Sequence, residues 1–110
     1  MRILFLSQGF KISDHPGWND ALEKLKNEDI ISFFINIPYI GFAEAYGWDG
    51  LYHEIIKLCK EAFIDVVYFH YFHMNNDIPS PINCVSALRK INPSLVVITS
   101  CGDGFSYDWM

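Results

Sequence analysis

Two histidines and an aspartate between two glycines are the residues of this chain best suited to chemistry. His70 and His73 stand at the end of one apolar run, and Asp103 lies between Gly102 and Gly104 just after another. A histidine can donate to a hydroxyl or act as a base near neutral pH, and a nearby carboxylate would orient it. The glycines permit positive φ angles and close approach to a ligand. These features predict a site for a hydroxyl-bearing small molecule.

Each of these residues also has a structural interpretation. His70 shares a strand face with Tyr68, so it can equally be a buried side chain whose hydrogen bonds are satisfied. His73 then lies on a surface loop, and Asp103 belongs to an ordinary tight turn. The pair His70-x-x-His73 has no third ligand and lacks helical spacing, so we predict no metal site.

The elements that would position these residues alternate along the chain. Short apolar runs alternate with segments of helical period, which favours βα units around a parallel sheet. The predicted fold is therefore α/β, an open parallel sheet of about four strands in a Rossmann-like or flavodoxin-like three-layer arrangement. Predicted strands cover Arg2–Ser7, Ile30–Ile37, Asp65–Phe72 and Leu95–Thr99, and predicted helices cover Trp18 to about Asn27, Leu51–Phe63 with Asp49 as N-cap, and Ile82–Ile91.

Ligands of open parallel sheets bind beyond the carboxyl ends of the strands, where the strand order reverses. In the flavodoxin-like order 2-1-3-4, strands one and three are neighbours. That order would bring Gly9, His70, His73 and Asp103 together at one edge of the sheet. The aromatic stretch Tyr39–Gly50 is predicted to be a long connection, either stacking on a sugar or packing onto the core as a lid.

Composition excludes several classes of protein. The chain has 110 residues and a formal net charge of -5, which disfavours nucleic acid and anionic membranes as partners. The dinucleotide-binding, P-loop and nucleophile-elbow motifs are absent from the sequence. Its odd number of cysteines, Cys59, Cys84 and Cys101, predicts free buried thiols in a reducing cytoplasm. The apolar runs are too short for a secretion signal or a transmembrane segment, so we predict a cytoplasmic protein.

Two predicted strands carry a family resemblance. Asp65-Val66-Val67-Tyr68-Phe69-His70 resembles the Asp-Val-Val-His-x-His strand of GT-B glycosyltransferases similar to family 4, and the run Leu95 to Asp103 resembles their Val-Val-x-Thr-x-His-Asp strand. The opening Arg2–Ser7 also resembles the first strand of that family. Tyr68 and Gly102 replace two of its histidines, and the glycine pair of its first loop is missing. The resemblance covers most of the chain.

This resemblance implies that residues 1–110 form the N-terminal, acceptor-side domain of a glycosyltransferase. A C-terminal domain, missing from this chain, would hold the nucleotide-sugar donor, and this chain would carry no cofactor and be inactive alone. Gly9, His70, His73 and Asp103 would face a small-molecule or glycan acceptor. The alternative is a free-standing flavodoxin-like module for binding or protein interaction, without catalysis. In either case the bare edge of the fourth strand predicts a homodimer or aggregation.

Overall fold

The protein is an open α/β sheet of parallel strands with helices on both faces. The computed structural model describes residues 1–14, 16–70, 79 and 81–100, and only the backbone of Ser100. Within these residues the strands are β1 (Arg2–Ser7), β2 (Phe33–Pro38), β3 (Val66–His70) and β4 (Val96–Ser100), and the helices are α1 (Pro16–Asn27), α2 (Tyr39–Glu61) and α3 (Ile82–Ile91). Their order in the sheet is β2-β1-β3-β4. The predicted fold class is confirmed.

The sheet register follows from the short apolar strands. Leu4 in β1 pairs with Ile35 on one side and with Val67 on the other, and all three strand pairs are parallel. Successive side chains of a strand point to opposite faces, so Leu4 and Phe5 enter different cores. Each parallel pair needs a crossover connection, which the helices supply.

The two faces of the sheet have cores of different size. The larger core packs Leu4 and Val67 against α2 and α3, through residues such as Leu51, Ile55 and Leu88. The smaller core packs Phe5, Leu22 and Ile31 together on the side of α1, and its partly buried neighbours are Ile3, Leu25, Phe34 and Tyr68. We call these two sides the α2/α3 face and the α1 face.

The second strand starts later than its apolar sequence predicts. β2 begins at Phe33, whereas the pattern indicated Ile30. The N–H groups of Ile30 and Ile31 both donate to the carbonyl of Leu25, after Asp29 takes a positive φ of 60°. These bonds close the end of α1 and hold the backbone away from the sheet. Ile31 is instead a buried anchor of the α1 face.

The segment Tyr39–Gly50 is helical, so its prediction as a connection was wrong. α2 runs from Tyr39 to Glu61, which places Asp49 inside the helix rather than at its N-cap. Tyr39 and Ala43 are buried against the sheet, so packing overrides the low helix propensity of the glycines. The helix is interrupted at Gly47, whose φ of 80° and ψ of 164° are not helical and produce a kink.

Candidate functional site

The candidate site lies where the order of the strands reverses, so that successive strands are added on the other side of β1. β1 connects through α1 to β2 on one side, and the next crossover passes to β3 on the other side of β1. The space between neighbouring helices at such a point is where open α/β sheets bind ligands. The register of Leu6 with Phe69 brings the next residues, Ser7 and His70, to the carboxyl edge together.

His70 is a buried side chain at this edge. Only 2% of its surface is exposed, and its Nδ1 accepts a hydrogen bond of 3.3 Å from the backbone N–H of Gln8. In the neutral ring the hydrogen then resides on Nε2, because Nδ1 is the acceptor. His70 therefore contacts the backbone just after β1, and strands one and three are neighbours, as the order 2-1-3-4 predicts.

Aromatic rings surround His70 on the α1 face. The ring centroids of Trp18 and His70 are 5.2 Å apart, and those of Phe5 and His70 are 5.5 Å apart. Trp18 also stacks on Phe5 at 5.1 Å and lies 5.5 Å from Tyr68. Trp18 nevertheless keeps 38% of its surface exposed. Trp18 thus contacts the buried ring of His70 and is itself accessible to the solvent.

A cavity opens beside Trp18 at the start of α1. Its volume is about 490 Å³, and its walls are Asp14, Pro16, Gly17, Trp18 and Ala21. The indole offers an apolar surface, and the cavity also contains a carboxylate. Such a combination suits a small molecule that has both an apolar face and hydroxyl groups.

Gly9 has a structural role in the described residues. Its carbonyl accepts a hydrogen bond of 3.1 Å from the N–H of Gly41, which lies in the first turn of α2. A Cβ at Gly9 would lie 3.0 Å from Oδ2 of Asp14, and that oxygen accepts the N–H groups of Phe10 and Lys11. The loop after β1 is therefore held by its own carboxylate and satisfies one N–H of α2.

Gly41 explains how closely this loop and α2 approach. A Cβ at Gly41 would lie 2.2 Å from the carbonyl oxygen of Phe10, which is far inside contact distance. Any side chain at this position would push the loop after β1 away from α2. Gly41, which the sequence placed in a long connection, is required by a backbone contact.

A chain of polar side chains on the α1 face was not predicted. Ser7 Oγ donates to Asn36 Oδ1 at 2.8 Å, Asn36 Nδ2 donates to Asn19 Oδ1 at 2.6 Å, and Asn19 Nδ2 donates to the carbonyl of Ile12 at 2.7 Å. Ser7 is 1% exposed, so its hydroxyl needs this partner. The signal was Asn36, a polar residue between Ile35 and Ile37 in an otherwise apolar strand.

The remaining predicted site residues cannot be placed. His73 and Asp103 lie outside the described residues, as does Cys101. The structure thus brings Gly9 and His70 to one edge and leaves the proposed meeting of all four residues as a prediction. Trp18, which the sequence placed only beside the first loop, proves to be the aromatic neighbour of His70.

The described cysteines lie on the opposite side of the sheet. Cys59 and Cys84 are free and buried in the core of the α2/α3 face, as predicted for these two. Burial raises the pKa of Cys59 to about 11 and, together with the nearby Cys59, raises the pKa of Cys84 to about 12. Burial also raises the pKa of Tyr52, whose hydroxyl donates to the carbonyl of Pro79. Both thiols are therefore protonated at neutral pH and serve packing.

Two further observations concern the described part of the chain only. Residues 1–14, 16–70, 79 and 81–100 contain no group of three or more His, Cys, Asp or Glu side chains placed to hold a metal ion. In the same residues, no helix combines the length and the apolar character that crossing a membrane requires.

Comparison with known proteins adds no relative. No protein-family model, curated protein or solved structure matches this chain. The fold class of the structure is an open parallel α/β sheet with a switch point between β1 and β3. A function must therefore be inferred from the geometry at that edge and from the resemblance of its strands.

Proposed function

We propose that the edge between β1 and β3 binds the acceptor of a glycosyl transfer. In this proposal residues 1–110 form the N-terminal domain of a cytoplasmic GT-B-like glycosyltransferase, and a second domain holds the nucleotide-sugar donor. The observation that carries the proposal is the position of Trp18. Its half-exposed indole lies between a cavity of about 490 Å³ and the buried ring of His70, at the switch point of the sheet.

Each proposed contact has a physical reason. The apolar face of a sugar ring packs well on an indole, which offers a large contact area at low entropic cost. The loop of Gly9 and the ring of His70 border the same edge, and His73 and Asp103 are retained as proposed acceptor contacts. In the transfer, the acceptor hydroxyl would bond to the anomeric carbon, the bond to the leaving phosphate would break, and the hydroxyl proton would pass to a base.

A free-standing binding or interaction module is the second candidate, and a specific observation favours it. The described contacts of Gly9 and His70 are contacts within the fold, because Gly9 accepts from Gly41 and His70 accepts from Gln8. Val96 and Ile98, which are 50% and 41% exposed, give β4 an apolar surface at the edge of the sheet. Such an edge suits association with a second copy of the chain.

Titration of the 110-residue chain with neutral methyl glycosides, followed by amide NMR, separates the two candidates. Methyl glycosides of glucose, galactose, mannose and N-acetylglucosamine test the acceptor site without a donor. The first proposal expects shifts at Gln8, Gly9 and Trp18. Replacing Trp18 by Leu should weaken binding by up to about tenfold, because an aromatic contact contributes roughly 0.5–1.5 kcal/mol.

The matched control is Phe63→Leu, which removes an exposed aromatic ring between the end of α2 and the start of β3, at the opposite edge of the sheet. This variant should bind the glycosides as the unaltered chain does. A folded chain that shows no shift at the β1–β3 edge with any glycoside would refute the acceptor site and favour the second candidate. An open reading frame that continues into a second βα domain, and whose product transfers sugar, would support the first.

A further inference from the structure

A group of residues on α2 forms a second cavity, distinct from the edge between β1 and β3. Phe42 and Tyr46 are one helical turn apart before the kink at Gly47, and Gly50 and Glu54 are one turn apart after it. Together they line a cavity of about 480 Å³. Two are aromatic, one has no side chain, and one carries a carboxylate. We call this group the α2 notch.

The floor of the α2 notch is Gly50. A Cβ at this position would lie 3.0 Å from the Cβ of Tyr46, which is closer than side chains normally approach. The glycine therefore lets the Cβ of Tyr46 pack directly on the backbone of α2, and that backbone forms part of the cavity lining. Gly50 takes no positive φ that would explain the glycine otherwise.

The wall of the notch is a pair of aromatic rings. The centroids of Phe42 and Tyr46 are 4.8 Å apart with their planes at 44°. The kink at Gly47 falls directly after this pair and separates it from the rest of α2. Tyr46 keeps 69% of its surface exposed, so most of its ring is available to a ligand.

We propose that the α2 notch binds an organic ammonium ion, either a primary amine or a quaternary ammonium group. Aromatic faces attract such cations through their quadrupole. The carboxylate of Glu54, in the lining of the same cavity, adds direct charge attraction. The net charge of -5 raises the local concentration of cations around the protein. This inference is independent of the acceptor site, because the two sites share no residue.

Choline and its neutral analogue, in which carbon replaces the quaternary nitrogen, provide the direct test. Both are titrated into the 110-residue chain, and amide NMR follows Tyr46, Gly50 and Glu54. Choline should shift the resonances of these amides. The neutral analogue should bind about twofold to fivefold more weakly, because an exposed cation–π contact contributes roughly 0.5–1 kcal/mol. Equal binding of the two ligands, or no binding of choline, would overturn the proposal.

Two variants locate the binding. Tyr46→Leu and Glu54→Gln should each weaken choline binding about twofold to fivefold. Their controls are Phe63→Leu, which removes an exposed aromatic ring just after the end of α2, and Glu44→Gln, which removes a charge from an exposed position of the same helix. The controls should leave choline binding unchanged. An equal loss in Glu44→Gln and Glu54→Gln would show a general charge effect and would refute the specific site.

Discussion

The two faces of the sheet differ in the size of their apolar cores and in the polar groups that they bury. The α2/α3 face is closed by two packed helices over a continuous apolar core. The α1 face has one helix, a small apolar cluster and the two buried polar residues that the structure describes, Ser7 and His70. A buried polar group destabilises a fold unless it is hydrogen-bonded, and both residues have a hydrogen bond within the fold. The α1 face is also the face of the proposed acceptor site.

The polar chain on the α1 face has a definite direction. From Ser7 through Asn36 to Asn19, each side chain donates to the next, and the last donates to the backbone of Ile12. Chains of this kind polarise one another in a low-dielectric interior. This series of hydrogen bonds also joins β1, β2 and α1 beside Trp18. It positions the helix whose indole lies over His70.

The largest effect should come from making the same substitution on both faces. Leu51→Ala, at a fully buried site of the α2/α3 face, should lower the free energy of unfolding by about 2–5 kcal/mol. Leu22→Ala, at a 6% exposed site of the smaller α1 core, should fall at or below the lower end of that range. Urea unfolding measures both. A Leu22 variant that loses as much as the Leu51 variant would contradict the expected difference between the two cores.

A smaller effect should follow from breaking the polar chain. Asn36→Ala removes the shorter hydrogen bond of the buried Ser7 hydroxyl, which keeps only the carbonyl of Ile37 at 3.5 Å, and we expect a loss of about 1 kcal/mol in the free energy of unfolding. Removing Ser7 as well should restore part of that loss, because no buried hydroxyl is then left with only its longer hydrogen bond. Asn83→Ala, at an exposed position of α3, is the control. Strict additivity of the Ser7 and Asn36 losses would show that the bond is not important.

The smallest effect on stability, with a clear effect on association, is expected at the edge of β4. Ile98 pairs with Tyr68 in register, so both lie on the α1 face, where Ile98 is 41% exposed. Ile98→Lys should reduce self-association at the edge and change the free energy of unfolding by about 0.5 kcal/mol or less.

Light scattering over a concentration series measures that association, with Ile91→Lys as the control at a partly exposed position at the end of α3. The unaltered chain should form dimers or larger species as its concentration rises. A chain that stays monomeric at high concentration would show that the edge of β4 is not a surface for self-association. A loss of association in the Ile91 variant alone would move the interface to α3.

Local patterns were sufficient for much of the fold. The bounds of β1 at Arg2–Ser7 and of α3 at Ile82–Ile91 agree with the prediction, because each segment has one clear period and clear flanking signals. The segment Tyr39–Gly50 was misassigned because Gly41, Gly47 and Gly50 each suggest a break. Gly47 kinks the helix, while Gly41 accommodates the carbonyl of Phe10 and Gly50 accommodates the Cβ of Tyr46. Sequence cannot separate these three reasons for a glycine.

The sequence predicted which strand ends border the candidate site, but not the hydrogen-bond partners of the residues there. Gly9 and His70 were placed at one edge because parallel strands end together at one edge of a sheet. The bond from Gln8 to Nδ1 of His70 could not be foreseen, since it depends on the exact path of the backbone after β1. Asn36 was overlooked because one polar residue in an apolar run does not disturb the strand pattern.

The sequence by itself determined the α/β class, the alternation of strands and helices, and which strand ends carry polar groups. These properties follow from local periodicity, which depends on residues close together in the chain. Only the tertiary structure decided that Trp18 lies over His70, that Ser7 reaches Asn36, and that Gly41 meets Phe10. Such contacts join residues distant in sequence, and their formation depends on sheet register and helix packing, which no local pattern encodes.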